Sequence, residues 1–188
     1  MYSPKTIRVT AIVASLCALV AASMGQAQET KPESGLPAAP VFMSAEWAAQ
    51  ACQAWNANKI LTEELVTSGW IDNHKNRGFK VLQIYRTDCA SSPHVEMRIS
   101  KRDNKAACVY GGKVETSPLD SDADYVMHSQ TAYWLEMGRG MYGPMRAMMF
   151  GTLKFDGPMF EAMGNMGPFK QFLLLPGKIA ANSSTCPQ

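Results

Sequence analysis

The chain has 188 residues, 46% of them hydrophobic, which is the size of one domain with a sizeable core. Its 18 Lys and Arg stand against 16 Asp and Glu. Because Lys5 and Arg8 fall in the export segment described next, the remainder is formally neutral; that excludes the clustered basic surface nucleic acid requires and leaves no strong electrostatic claim on anionic membranes.

Residues 1–27 have the pattern of a secretory signal peptide. Lys5 and Arg8 form a positive start, Val9 to Ser23 is a mostly apolar run, and Gly25-Gln26-Ala27 offers small residues at the cleavage positions, with the cut expected after Ala27. The run is short for a spanning helix and lacks a positive flank, which disfavours a retained anchor. Cys17 follows Leu16 where a lipoprotein signal requires a small residue. The short, Ala-rich signal points to the periplasm, although Asn182-Ser183-Ser184 would be a glycan acceptor in a eukaryotic host. Cys52, Cys89, Cys108 and Cys186 survive cleavage, and an even number in an oxidising compartment is expected to form disulfides. No two are close enough in sequence for a CxxC motif or the usual zinc spacings.

Residues 28–41 are Pro-rich and polar with no periodic apolar face, the composition of a flexible leader; the domain is expected over 42–179 and a C-terminal tail over 180–188. Ser44 can cap a helix whose Trp47, Ala48, Ala51, Cys52 and Trp55 recur at three- and four-residue steps, with Glu46 suited to its first turn. A short second helix is expected from Thr62 to Ser68, ended by Gly69.

The period then changes to two. Phe79 to Arg86, Val95 to Ser100 and Ala106 to Tyr110 alternate between turn residues, which predicts an antiparallel meander with one covered face. If Asp103-Asn104 is a two-residue turn, Cys108 faces Ile99, and Cys89 lies in the preceding loop, beyond the ~7 Å Cα separation that a disulfide to Cys108 allows. Of the three possible connectivities this favours Cys52 with Cys108 and, by elimination, Cys89 with Cys186. After a loop at 117–122, Asp124 to Ser129 reads as a strand, Thr131 to Met137 as a helix broken at Gly138, Gly140 and Gly143-Pro144, and Met145 to Phe150 as its resumption. A last strand at Thr152 to Phe155, a helix from Met159 begun by Gly157-Pro158, and Phe169 to Leu175 complete an α+β domain with helices on one face of a mainly antiparallel sheet.

Eight methionines fall between 137 and 166, and Met is unbranched and polarizable enough to form a wall that reshapes around irregular ligands. In the same region Gly151-Thr152-Leu153-Lys154-Phe155-Asp156-Gly157-Pro158-Met159-Phe160-Glu161-Ala162-Met163 resembles the closing signature of the type-two sterol carrier protein family: Gly-x-Leu-Lys-hydrophobic-x-Gly, a spacer, Met, two residues, then Ala-Met. Asp124 to Met127, Trp134 to Gly140 and Pro144 to Phe150 continue the likeness upstream as its acidic-then-apolar strand, its glycine-ended helix and its apolar segment. The resemblance implies a five-stranded sheet with helices on one face enclosing an apolar tunnel for sterols, fatty acyl chains or related lipids. It puts Met159, Ala162 and Met163 on a helix lining that tunnel and Leu153 and Phe155 on the adjoining strand. The remaining lining candidates are Trp134, Met137, Met141, Met145, Met148, Met149, Met166, Phe169 and Phe172. Two departures stand out: the chain ends Thr-Cys-Pro-Gln where peroxisomal members carry a Ser-Lys-Leu address, and past Gly167 it adds an apolar segment, Phe169 to Leu175, suited to gating the cavity or completing the core.

Burying a few hundred Å² of apolar ligand at about 25 cal/mol per Å² reaches micromolar affinity after association costs. Specificity would then rest on one or two polar groups at the mouth, for which His128, Tyr133, Glu136 and Arg139 are candidates, each of which also fits an ordinary solvated or capping role. Catalytic residues, a cofactor and a metal are not expected. His74, His94 and His128 are scattered, there is no Gly-x-Ser-x-Gly elbow, and Asp120, Asp122 and Asp124 lack the Gly and Glu of a calcium loop. The expected partners are a lipid or other apolar small molecule and, transiently, a membrane; nothing identifies a protein partner, and nucleic acid is excluded. The rival reading is a periplasmic Cu(I)-binding protein using the thioethers of Met137, Met141, Met145, Met148 and Met149, against which Gly140, Gly143 and Pro144 interrupt the helix that would align them.

Overall fold

The computed structural model describes residues 38–90 and 93–188; the signal segment and most of the leader lie outside them. Helix α1 (Ala45–Asn56) starts where Ser44 accepts a hydrogen bond from the Trp47 N–H at 3.3 Å, and it buries Trp47, Ala48, Ala51, Cys52 and Trp55. A π-helical turn, Ile60–Glu64, runs into α2 (Leu65–Thr67); Asn58 Oδ1 accepts from Ile60 N at 3.0 Å to cap it. Gly69, at φ 75°, allows the left-handed turn that ends this segment before a 3-10 turn at Trp70–Asp72.

Strands β1 (Lys80–Arg86), β2 (Val95–Arg102), β3 (Lys105–Lys113), β4 (Tyr125–Ser129) and β5 (Lys154–Asp156) form one sheet in the order β3-β2-β1-β4-β5. All neighbours are antiparallel except β1 and β4, so the sheet is mixed but mostly antiparallel. Asp103 and Asn104 both take positive φ, 47° and 57°, as a two-residue hairpin turn requires, and the register pairs Ile99 with Cys108. Leu82, Ile84, Val95, Met97, Ile99, Ala106, Tyr125 and Met127 join the core beneath the helices. Helix α1 lies directly on β3. A Cβ at Gly111 would stand 2.3 Å from the Ala48 carbonyl oxygen, so only glycine permits that approach.

Around this contact the Cys52–Cys108 disulfide, the Trp55 Nε1 hydrogen bond to the Ala106 carbonyl (2.8 Å) and a reciprocal pair between Asn56 and the Cys108 backbone lace helix to strand.

The C-terminal half supplies α3 (Thr131–Gly138), α4 (Pro144–Met149), α5 (Met159–Gly164), α6 (Met166–Leu173) and α7 (Leu175–Lys178). Proline begins α4 at a position where its missing N–H is not needed. Phe169, Phe172, Leu173 and Leu175 belong to the core cluster, so the apolar segment past Gly167 is structural. The residues that follow are fastened as well. Asn182 bridges Val41, with Phe42 N donating to Asn182 O and Asn182 N to Pro40 O, both at 2.8 Å. Cys186 is bonded to Cys89, and the Arg86 guanidinium donates to the carbonyls of Thr185 (2.7 Å) and Ser183 (3.0 Å). Among the described residues no helix is long and apolar enough to cross a membrane.

Candidate functional site

Between the sheet and α6 lies an apolar cavity of about 40 Å³. Trp55 comes from α1, Leu61 and Leu65 from the π-turn and α2, Trp70 from the 3-10 turn, Leu82 from β1, Tyr125 and Met127 from β4, Phe155 from β5, Ala162 from α5, and Pro168, Phe169 and Phe172 from α6, with Asn165 at the α5–α6 junction. The aromatic rings fill the space: Trp55 meets Phe172 edge-on at 6.3 Å, Phe155 meets Phe169 at 5.6 Å and Tyr125 at 5.4 Å. The cavity is well below the ~300 Å³ at which small-molecule sites begin.

Of the lining candidates read from the sequence, Phe155, Ala162, Phe169 and Phe172 border this cavity. Leu153, Trp134 and Met137 are buried in the core, and Met148 and Met166 pack partly buried against it. Met141, Met145, Met149, Met159 and Met163 are turned to the surface. Met137 thus sits in the core while Met141 and Met145 are exposed, so the thioethers invoked for copper do not share one environment. His128 follows Met127 on β4 and so points through the opposite face of the sheet, where it stacks on Tyr85 at 4.6 Å, away from the cavity. Glu136 accepts a hydrogen bond from the Tyr142 hydroxyl at 3.0 Å, and Arg139 is exposed.

Sequence reasoning missed the wall contributed by Trp55, Leu61, Leu65, Trp70, Leu82, Tyr125 and Met127, and it missed the polar end of the site. Lys80 has no exposed surface; its ammonium lies 4.3 Å from the Trp70 ring centroid and 5.2 Å from that of Tyr125. Its partner is Glu161 on α5, Nζ to Oε2 at 2.6 Å. The same carboxylate accepts hydrogen bonds from the Tyr125 hydroxyl and, at 3.2 Å, from Asn73 Nδ2, while Trp70 Nε1 donates to the Tyr125 oxygen at 3.0 Å. Burial pulls the Lys80 pKa down against the opposing pull of Glu161, and burial with the Glu161 contact pushes that of Tyr125 up, so its hydroxyl stays a donor. One signal was readable: Lys80 shares the covered-face phase of β1 with Leu82 and Ile84, where a lysine needs a buried counter-charge.

The family model described as the SCP-2 sterol transfer family matches residues 42–170, and the chain belongs to that family. Among solved structures it is similar to a crystal structure of sterol carrier protein 2, at 18% identity and TM-score 0.49, covering 74% of this chain and 99% of that one. It is also similar to a conserved hypothetical protein of Thermus thermophilus (18% identity, TM-score 0.45, 78% and 96% covered) and to apo sterol carrier protein 2 from Yarrowia lipolytica (14% identity, TM-score 0.39, 71% and 97% covered). No curated protein matches the chain. Membership of this family supports a lipid-binding or lipid-transfer role.

Proposed function

We propose that this is an exported lipid-binding and transfer protein that admits a sterol, fatty acyl or similar apolar ligand behind α5 and α6 and does no chemistry on it. The observation that carries this reading is the cavity lining, apolar and aromatic apart from Asn165 and the polar tips of Trp and Tyr. At about 40 Å³ the cavity must expand to take a lipid, and α5 is the piece best built to yield. It has six residues and non-helical backbone on either side, Pro158 at ψ 89° and Asn165 at ψ 36°. Met148 and Met166, unbranched and already against the core, can repack as it moves.

Protein taken from its native compartment and extracted with organic solvent is expected to release stoichiometric lipid, with an intact mass that begins at Gln28. Lipid-free protein carrying stoichiometric copper overturns this reading in favour of the thioether one.

The exposed side chains of α4, of Phe150 at its C-terminal end and of α5 fit the membrane contact such transfer needs. Phe160 is 91% exposed, Phe150 70% and Met149 72%, and Arg146 lies over the Phe150 ring at 5.8 Å, a cation beside an apolar tip. Replacing Phe150 and Phe160 together by Asp is expected to weaken binding to phosphatidylcholine vesicles at least about tenfold, since a fully buried Phe contributes about 1.5–3 kcal/mol. Both rings are solvent-exposed, so the melting temperature should not move; unchanged vesicle binding would place the contact elsewhere.

A further inference from the structure

We propose that Glu161 is the resident occupant of an anion site, and that Lys80, the Tyr125 hydroxyl and the Asn73 amide receive a ligand's carboxylate once α5 moves off the cavity. The inference rests on the lipid-binding reading and deepens it: the favoured ligand class is a carboxylate-headed amphipath, such as a long-chain fatty acid, over a neutral sterol.

Three observations converge on this. Lys80 has no exposed surface, yet its only ion-pair partner among the described residues belongs to α5, the short helix that also lines the cavity through Ala162. Opening the cavity by moving α5 therefore removes Glu161 from Lys80 in the same motion. The donors left behind are fixed on other elements: Lys80 on β1, Tyr125 on β4 and held by Trp70 Nε1, and Asn73, which also donates to the Asp122 carbonyl at 2.8 Å. Together they engage both oxygens of one carboxylate, Lys80 and Tyr125 on Oε2 and Asn73 on Oε1, and the Trp70 and Tyr125 rings that flank the ammonium also form the cavity wall.

The neighbouring ion pair cannot take over. Arg77 grips Asp124 through both oxygens at 2.7 and 2.6 Å, and the Val81 and Asp120 N–H groups complete the Asp124 carboxylate. A neutral ligand would thus leave the Lys80 cation desolvated and unpaired, a state proteins avoid, whereas a ligand carboxylate replaces the lost partner in kind.

The test uses the full mature chain with three fluorescent probes: cis-parinaric acid, its methyl ester and dehydroergosterol. The acid is expected to bind about tenfold or more tightly than the ester, the difference of one charge-assisted contact. Glu161→Gln weakens the latch in the closed state and should tighten acid and ester alike, leaving their ratio in place. Lys80→Met should bring the ratio to one. The wild-type ratio and Glu161→Gln leave Lys80 untouched, so they decide the question even if the lysine variant fails to fold. An ester or sterol that binds the wild type as tightly as the acid overturns the anion site and leaves the lipid-binding reading standing. Absence of binding by all three probes overturns both.

Discussion

Reduction of both disulfides is expected to lower the melting temperature by about 20 °C. The two bonds join cysteines separated by 56 and 97 residues, and closing loops of that length removes about 4 kcal/mol of denatured-state freedom apiece in the chain-entropy account. Set against a typical total of about 5–15 kcal/mol, their joint loss leaves little margin. Their positions reinforce this. Cys52–Cys108 fastens α1 to β3 where the helix rests on Gly111, and Cys89–Cys186 fastens the end of the chain to the loop after β1. Thermal melts followed by circular dichroism, with and without a strong thiol reductant, provide the check. A drop under about 5 °C would mean that packing alone holds these elements and that an oxidising compartment is no requirement.

Phe172→Ala is expected to move stability and uptake in opposite directions. Phe172 is nearly fully buried on α6, meets Trp55 edge-on and lines the cavity. Removing its ring should cost about 3–5 kcal/mol, the usual penalty for deleting a buried aromatic side chain. The vacated volume adjoins the cavity and is lined by apolar groups, so a lipid can occupy it with less displacement of α5. Faster uptake of a fluorescent lipid by a less stable protein is the expected pair of results. If the variant loses stability and uptake does not quicken, the ligand does not enter at this place.

Much of the architecture could be read from the chain because local signals agreed with the global fold. Ser44 with the Trp47, Ala51 and Trp55 stripe marked α1, and Asp103-Asn104 marked the hairpin, which in turn fixed the face of Cys108. The likeness running from Gly151 to Met163 pointed to the family. What escaped was set by long-range packing. Period two shows that β1 and β4 are strands but says nothing of their parallel pairing, because alternation is blind to the neighbour. Leu61 and Leu65 line the cavity from a π-turn and a single helical turn, too brief for any stripe to emerge. The methionines divided for a similar reason. Helices α4 and α5 have six residues each, and in so short a piece spacing cannot tell the side facing the core from the side facing out.

The seam between Val41 and Asn182 makes the two ends of the described domain depend on each other. The family likeness stops at residue 170, inside α6, whereas the chain closes its core with Phe172, Leu173 and Leu175 and then fastens itself through Asn182 and Cys186. The closing stretch, beyond the span that the family model matches, acts as a clasp on the two ends of the domain. A fragment cut at residue 170 would keep the matched span and lose its fastening.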